Sequence, residues 1–352
     1  MARPRTSRSW HRATGSRLFF PLVILALILL FDLAFDPAFF ALEIIDGHLY
    51  GSLVDIFRNG STVMLLAIGM TVVIAVGGVD LSVGAVMAIS ASVAAILINP
   101  DFHSLSSDPD YTFLPLPMVY LVTLAIATLC GLWNGFLVAY GGIQPMVATL
   151  ILMIAGRGIA QLITSGVRIQ IFYEPYAYLG NGWVLVPVSL LVVAVVYVAA
   201  WVMTRRTALG MFIESVGINA RSSFYSGINE KLVKLIAYMF CGFCAGVAGL
   251  VASSNIRTSD ANNIGLNFEL DAILAVVIGG TALGAGGRFS LLASIVGALV
   301  IQAITTSMYA VGVPANALLA IKGVVVIVVI VVLSAQVRNA VGRLVTPKRT
   351  VA

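Results

Sequence analysis

The sequence has 352 residues, of which 60% are apolar and 10% are charged, with a mean hydropathy of +1.04. These values exclude an ordinary soluble protein and predict an all-α polytopic membrane protein, because backbone N–H and C=O groups in lipid must be satisfied within each crossing helix. The net charge of +5 does not indicate a nucleic-acid partner, since the basic residues gather on one side of the predicted crossings.

Apolar stretches of the length that a bilayer requires, roughly 20 residues, recur about ten times along the chain. We predict crossings at 18–35, 61–77, 81–98, 116–139, 144–164, 183–203, 233–253, 269–284, 289–310 and 314–335. They divide the chain into a basic N-terminus (1–17), a transmembrane domain (18–336) and a basic C-terminal tail (337–352). We expect the basic N-terminus to lie against anionic lipid headgroups.

The basic residues are distributed unequally between the two sides of these crossings. With the N-terminus inside, fifteen of them fall on inner segments and three, Arg58, Arg168 and Arg257, fall on outer segments. Basic residues favour the cytoplasmic side of a membrane protein. The distribution therefore predicts that both termini lie in the cytoplasm and that the number of crossings is even.

The second crossing continues directly into the octet GGVDLSVG, Gly77 to Gly84. Adjacent glycines permit a helix to break, and Asp80 can cap the start of the next helix. Two interpretations remain open, a tight turn at the inner face or a break at membrane depth that lines an aqueous path. The octet closely resembles the signature of the ribose-type sugar permeases of ATP-binding-cassette (ABC) importers.

Polar residues interrupt the fourth and fifth crossings at Asn134, Gln144, Arg157 and Gln161. An arginine at the centre of a membrane helix costs roughly 2.5 to 3.5 kcal/mol on insertion scales, so Arg157 should face the bundle interior, water or a carboxylate. Gln161 lies one helical turn away on the same face. The pieces LWNG, IQP, ATLILM and GRG in this region resemble the galactofuranose-type members of the same family.

The longest polar interior stretch is 204–234, which carries five basic and two acidic residues. Met211 to Tyr225 has the periodicity of a short amphipathic helix that lies along the membrane face. One interpretation is a solvated loop with a surface helix. The other is the family's coupling loop, which docks into the ATPase subunit; the resemblance rests on Glu214, Gly217, Asn219, Ala220, Ser226, Gly227, Ile228 and Asn229.

The last third of the chain contains SDANN, ELDAI and VVIGG, which resemble the family's outer loop and eighth crossing. About a dozen apolar residues follow Asp271, too few to cross the membrane, so this element should be tilted, broken or partly embedded. We hypothesise that Asp271 pairs with Arg157, and we expect Lys322 to extend towards the outer interface. The glycines at 242, 246 and 249 predict a close-packing helix face.

Motifs for enzymatic chemistry are missing from the sequence. It contains no G-x-x-x-x-G-K-[ST] sequence to bind a nucleotide, and the C-x-x-C of Cys241 and Cys244 lies in a crossing where small packing residues are expected. We therefore predict that the chain itself is not an enzyme. An ion-coupled secondary sugar transporter, with Asp80 or Asp271 binding the ion, is the alternative; an intramembrane enzyme comes third.

The resemblance covers about residues 18–336 and implies the permease subunit of a ribose- or galactofuranose-type ABC sugar importer in the bacterial inner membrane. It implies three protein partners: an ATPase subunit that uses ATP and Mg, a second permease in a homodimer or paralogous heterodimer, and a periplasmic sugar-binding protein. This chain is expected to bind no cofactor or metal. The expected ATPase-coupling residues are Glu214, Gly217, Asn219, Ala220, Arg221, Gly227 and Asn229. The candidate translocation-path residues are Asp80, Asn134, Gln144, Arg157, Gln161, Glu269, Asp271 and Gln302.

Overall fold

The structure, a computed structural model, describes residues 18–35, 37–45, 48–99, 112–283 and 286–333. The predicted basic segments 1–17 and 337–352 lie outside the described residues. The helices of the described part are α1 (Phe19–Phe35), α2 (Ser52–Ala75), α3 (Val83–Ile98), α4 (Leu116–Ala139), α5 (Pro145–Ile163), α6 (Glu174–Asn181), α7 (Val188–Arg205), α8 (Leu209–Ile218), α9 (Ala220–Tyr225), α10 (Glu230–Ile256), α11 (Phe268–Ile278), α12 (Leu291–Ala310) and α13 (Ala315–Leu333). A 3-10 helix covers Pro37–Phe40.

Two short antiparallel strand pairs complete the fold. Strands β1 (Glu43–Ile45) and β2 (His48–Tyr50) pair with Glu43 opposite Tyr50. Strands β3 (Ile169–Gln170) and β4 (Thr258–Ser259) pair with Ile169 opposite Ser259. The second pair joins the segment that follows α5 to the segment that follows α10, so the ends of these two helices lie side by side.

A helix lies at each of the ten positions where a crossing is predicted. Within the described residues, six of them are long and apolar enough to cross a membrane, namely α2, α4, α5, α7, α10 and α12. The membrane class and helical fold are as expected, and the count of ten crossings stays a prediction. Helix α11 has 11 residues, about 16 Å at 1.5 Å per residue, so it is too short to cross a hydrocarbon core of about 30 Å.

The centre of the bundle consists of α2, α3, α10 and α12, which are mostly buried, while α4, α5 and α7 face outward over most of their length. Small residues let α10 approach its neighbours closely. A Cβ at Gly242 would lie 2.6 Å from the carbonyl oxygen of Ala127, and one at Gly249 would lie 2.5 Å from that of Met87. The predicted close-packing face of α10 is therefore confirmed. Cys241 and Cys244 are free and buried on the same helix, as expected of packing residues.

The inner polar stretch differs from the predicted single amphipathic helix over Met211–Tyr225. It forms two helices, α8 and α9, that are interrupted at Asn219, whose backbone is extended with φ −158° and ψ 96°. The Asn219 side chain accepts a hydrogen bond of 2.9 Å from the backbone N–H of Ser222. Asparagine stabilises a helix start in this way more than a helix interior, which explains the break.

Candidate functional site

Residues 76–82, which include most of the octet Gly77 to Gly84, are not helical and form a break between α2 and α3. Gly77 adopts φ +84°, a left-handed conformation that glycine adopts without steric cost. Asp80 then holds the chain just before α3, because its Oδ1 accepts hydrogen bonds from the Ser82 backbone N–H at 2.9 Å and from Ser82 Oγ at 2.6 Å. Asp80 is only 1% exposed, so the break is enclosed by protein in this structure.

Asn134 on α4 contacts two polar side chains of this break. Its Nδ2 donates to Ser82 Oγ at 2.8 Å and lies 3.4 Å from Asp80 Oδ1. Asn134 and Ser82 are fully buried. The structure thus brings two candidate path residues, Asp80 and Asn134, into one enclosed polar cluster.

Two further side chains hold the backbone of the break. Thr149 on α5 accepts a hydrogen bond of 3.1 Å from the Leu81 N–H, and Tyr238 on α10 donates one of 3.3 Å to the Val79 carbonyl. Sequence reasoning did not select Thr149 or Tyr238, because a threonine and a tyrosine in apolar helices carry no signal of what they contact. The break is therefore fastened to α4, α5 and α10 together.

Arg157 on α5 does not pair with Asp271, so that hypothesis is wrong. Its Nη1 donates to the carbonyl oxygens of Ala261 at 2.9 Å and Ile264 at 2.5 Å, in the segment between β4 and α11. The two carbonyl oxygens satisfy hydrogen-bond donors of the guanidinium, and the nearby carboxylates of Glu269 and Asp260 act on its charge. One turn further along α5, Gln161 Nε2 donates to Asn262 Oδ1 at 2.5 Å. Both predicted polar residues of α5 thus contact the same segment, 260–267.

Asp260 organises the beginning of that segment. Its carboxylate accepts hydrogen bonds from the N–H groups of Asn262 and Asn263 and from Asn263 Nδ2, and it lies 3.5 Å from Arg168 Nη2. Partial burial acts to raise the pKa of Asp260, but the hydrogen bonds and Arg168 together hold it below the ordinary value of 3.8. The turn is therefore stabilised by an ionised carboxylate.

Asp271 on α11 pairs instead with Lys322 on α13, at 2.7 Å between Nζ and Oδ2. The two side chains are 18% and 15% exposed. The expectation that Lys322 extends towards the outer interface stays a prediction, and the structure adds that its ammonium is paired with the carboxylate of Asp271, in the first turn of α11.

Of the remaining candidate path residues, Glu269 lies beside both clusters. It is 4% exposed, it lies against Gly84 of the octet, where a Cβ would be 2.5 Å from its Oε2, and it is close enough to Arg157 for the two charges to interact. Gln144 is exposed immediately before α5, and Gln302 contacts Thr306 on its own helix. The eight candidates therefore form several separate groups in this structure.

The predicted coupling residues lie on and around α8 and α9. Asn219 and Asn229 cap the starts of α9 and α10, and Gly227 between them adopts φ +83°. Arg221 is exposed, and so are apolar side chains that sequence reasoning did not select as functional: Ile218 is 69%, Phe224 63% and Tyr225 75% exposed. Exposed apolar groups on a polar segment mark a surface suited to a protein partner.

A cleft of about 390 Å³ lies beside this surface, lined by Arg205, Glu214, Arg288, Phe289 and Ser290. The Arg205 guanidinium lies over the buried ring of Phe289, at 5.8 Å from the centroid. Ser290 caps the start of α12 by accepting from the Ala293 N–H at 3.3 Å. The cleft joins α8 to the beginning of α12, so the coupling segment contacts the core of the bundle.

A family model described as branched-chain amino acid transport system / permease component matches residues 52–333. The galactofuranose transporter permease of Escherichia coli is 48% identical over 315 residues, covering 89% of this chain and 88% of the relative. The fructose import permease of Bifidobacterium longum is 36% identical over 332 residues (92% and 90%). The ribose import permease of Escherichia coli is 30% identical over 316 residues (88% and 92%). No solved structure matches significantly.

These similarities extend over the break, the α5 cluster and the coupling segment alike. They confirm the resemblance that the octet and the pieces of the fourth and fifth crossings indicate. Because the family model spans residues 52–333 and relatives at 30% identity or more are matched over most of their length, the chain belongs to this family of transport-system permease components.

Proposed function

We propose that the chain is the transmembrane permease subunit of a binding-protein-dependent ABC importer that moves a monosaccharide across the bacterial inner membrane by ATP-driven alternating access. The observation that carries the proposal is the 48% identity over 315 residues to the galactofuranose transporter permease. Relatives named for ribose and fructose are more distant, so a galactofuranose-like sugar is the first substrate to test and a ribose-like sugar the second.

The ATPase partner is supported by the surface around α8 and α9. This chain has no nucleotide-binding motif, so ATP and Mg belong to a separate subunit. Ile218, Phe224 and Tyr225 offer apolar contacts, and Arg221 beside them offers a charged one. A mixed surface of this kind, with aromatic side chains and an arginine, is typical of protein interfaces.

A second permease subunit is supported by the outward face of α5. Ile154 and Leu162 are 69% and 80% exposed there, and the half-buried Arg157 and Gln161 lie among them. Charged and amide groups at membrane depth face protein or water and not lipid. We therefore place a homodimeric or heterodimeric partner, and the sugar path between the subunits, against α5; amide and guanidinium groups suit sugar hydroxyls.

The periplasmic sugar-binding protein is assigned to the opposite side from the coupling segment. An exposed ion pair joins Arg257 to Glu174 through two contacts of 2.6 and 3.0 Å, and the exposed Phe172 and Tyr178 lie nearby. Exposed aromatic and charged groups of this type suit a soluble protein partner. In this arrangement the protein is a multi-pass membrane protein with both termini in the cytoplasm.

Co-expression with the cognate ATPase and binding protein, followed by reconstitution into liposomes, tests the proposal. We expect ATP-dependent uptake, and ATP hydrolysis that the galactofuranose-loaded binding protein stimulates. Arg221→Glu should reduce the amount of ATPase that co-purifies, whereas the matched variant Arg221→Lys, which keeps the charge, should not. Uptake by the purified chain alone, driven by an ion gradient without ATPase, would contradict the proposal.

A further inference from the structure

Gly217 is expected from the family resemblance to belong to the ATPase-coupling surface, yet the structure places its Cα against the membrane domain. A side chain at this position would collide with the backbone carbonyl of Ala75 and with the backbone nitrogen of Gly287. Both clashes are with main-chain atoms, which cannot relieve them by a change of rotamer as a side chain could. Gly217 is therefore the point where α8 rests directly on the backbone of the bundle.

The two segments under Gly217 are themselves bonded. The N–H of Gly287 donates a hydrogen bond of 2.8 Å to the carbonyl oxygen of Ala75. Gly286 and Gly287 adopt φ +56° and +87°, and a side chain at Gly286 would meet the main chain of Gly217. Three stretches of backbone thus meet with no side chain between them. We call this meeting of Ala75, Gly217 and Gly287 the glycine junction.

The glycine junction lies next to the element that holds several helices together. Ala75 is the last residue of α2, and the break at 76–82 follows it directly. That break is fastened by Asn134, Thr149 and Tyr238 to α4, α5 and α10. On the other side, Gly287 stands three residues before Ser290, the cap of α12. A displacement of α8 therefore reaches both the break and the start of a central helix through one contact.

We infer that Gly217 is a positioning residue of transport, through which the coupling segment moves the end of α2 and the break, and is not a contact of the ATPase. This inference rests on the proposed function. Close-packed backbone transmits a shift because it has no spare volume and no rotamer change to absorb it. If long side chains separated α8 from the bundle, their rotamer changes would absorb part of each displacement of the coupling segment, and the bundle would move less.

The experiment compares Gly217→Ala with Gly323→Ala in the reconstituted transporter. Gly323 lies within a helix, α13, away from the face of α5 assigned to the sugar path, and a Cβ there meets no atom within 4 Å, so it reports the general effect of adding a methyl group. Three quantities are measured: the amount of ATPase that co-purifies, the rate of sugar uptake, and the hydrogen exchange of the backbone amides at 76–82. The exchange is compared in the absence of nucleotide and with ATP bound to the ATPase subunit. The exchange measurement distinguishes transmission from a merely structural role.

We expect ATP to change the exchange at 76–82 in the unmodified protein and in Gly323→Ala. Gly217→Ala should still co-purify with the ATPase, should lose that response, and should transport more slowly by about tenfold or more, within the range of measured coupling between sites. Three results would overturn the inference. Gly217→Ala could take up sugar at the normal rate, or it could fold and yet no longer co-purify with the ATPase. Alternatively, ATP could leave the hydrogen exchange at 76–82 unchanged in the unmodified protein.

Should Gly217→Ala fail to assemble, the exchange of the Gly287 N–H, which is bonded to Ala75, is followed in the unmodified protein. ATP should change it together with the exchange at 76–82, and a response at 76–82 without one at Gly287 would overturn the inference. The outcome for the proposed function remains separate. If that function is wrong, no ATPase co-purifies with the unmodified chain and no ATP-dependent uptake is seen. If only the inference is wrong, the unmodified transporter takes up sugar with ATP, but Gly217→Ala does not change the uptake or the hydrogen exchange at 76–82.

Discussion

The ion pair between Lys322 and Asp271 is a polar attachment of α13 to the bundle, and its removal should be measurable. The Nζ to Oδ2 distance is 2.7 Å, and the side chains are 15% and 18% exposed. Apolar side chains of α13 also contact the bundle, with Leu318 and Val326 buried. In Lys322→Met the carboxylate of Asp271 keeps its burial and loses its cation.

The size of the effect follows from the exposure of the pair. Breaking a fully buried pair costs about 3–5 kcal/mol, and breaking an exposed one about 0–1 kcal/mol. Since both side chains keep less than a fifth of their accessible surface, we expect Lys322→Met to lower the free energy of unfolding by about 2–3 kcal/mol. Asp271→Asn should cost a similar amount, because it leaves the ammonium without its carboxylate.

The assay is equilibrium unfolding in mixed micelles of mild detergent and SDS. The double variant Asp271→Leu with Lys322→Met removes both charges, and we expect it to be closer to the unmodified protein than either single variant is. A charge exchange, Asp271→Lys with Lys322→Asp, should also recover part of the loss. Additive effects in both double variants, or single losses below about 0.5 kcal/mol, would refute the reasoning.

Two further predictions concern contacts outside that pair. Tyr176 is fully buried and its hydroxyl lies 2.6 Å from Ser253 Oγ, so Tyr176→Phe should lower stability by about 1 kcal/mol in thermal melts. The matched control is Tyr178→Phe, whose hydroxyl is bonded on the exposed surface and which should change stability less; equal losses would contradict the burial argument. The carboxylate of Asp260 has a pKa below 3.8, so its stabilisation is complete above about pH 4 and declines as the pH falls through the folded value. Asp260→Asn should therefore lower the melting temperature equally at pH 5 and pH 8, and a difference that disappears between those values would contradict the assignment.

The helices and the break were predictable because their causes are local. Long apolar runs require helices in lipid, and adjacent glycines before an aspartate permit the interruption seen at Gly77. Asn219 shows the limit of periodicity: its spacing fits one helix, while its side-chain chemistry favours the start of a second.

The partners of the membrane charges were not predictable from the sequence. Arg157 contacts Ala261 and Ile264, more than one hundred residues along the chain, and Asp271 contacts Lys322, some fifty residues away. A charge in an apolar helix requires a partner, but its sequence neighbourhood does not say which of several distant groups lies within reach. The role of Gly217 was hidden for the same reason, since only the fold places Ala75 and Gly287 beneath it.

The burial of Cys241 and Cys244 has a practical consequence. Alkylation by maleimides requires a thiolate that water and the reagent can reach, and these two thiols are enclosed by the bundle. Once the partly exposed Cys130 of α4 is replaced, new cysteines at surface positions can therefore be mapped with membrane-impermeant labels while the buried pair stays unreactive. The sidedness of each loop then becomes measurable in intact cells without any change inside α10.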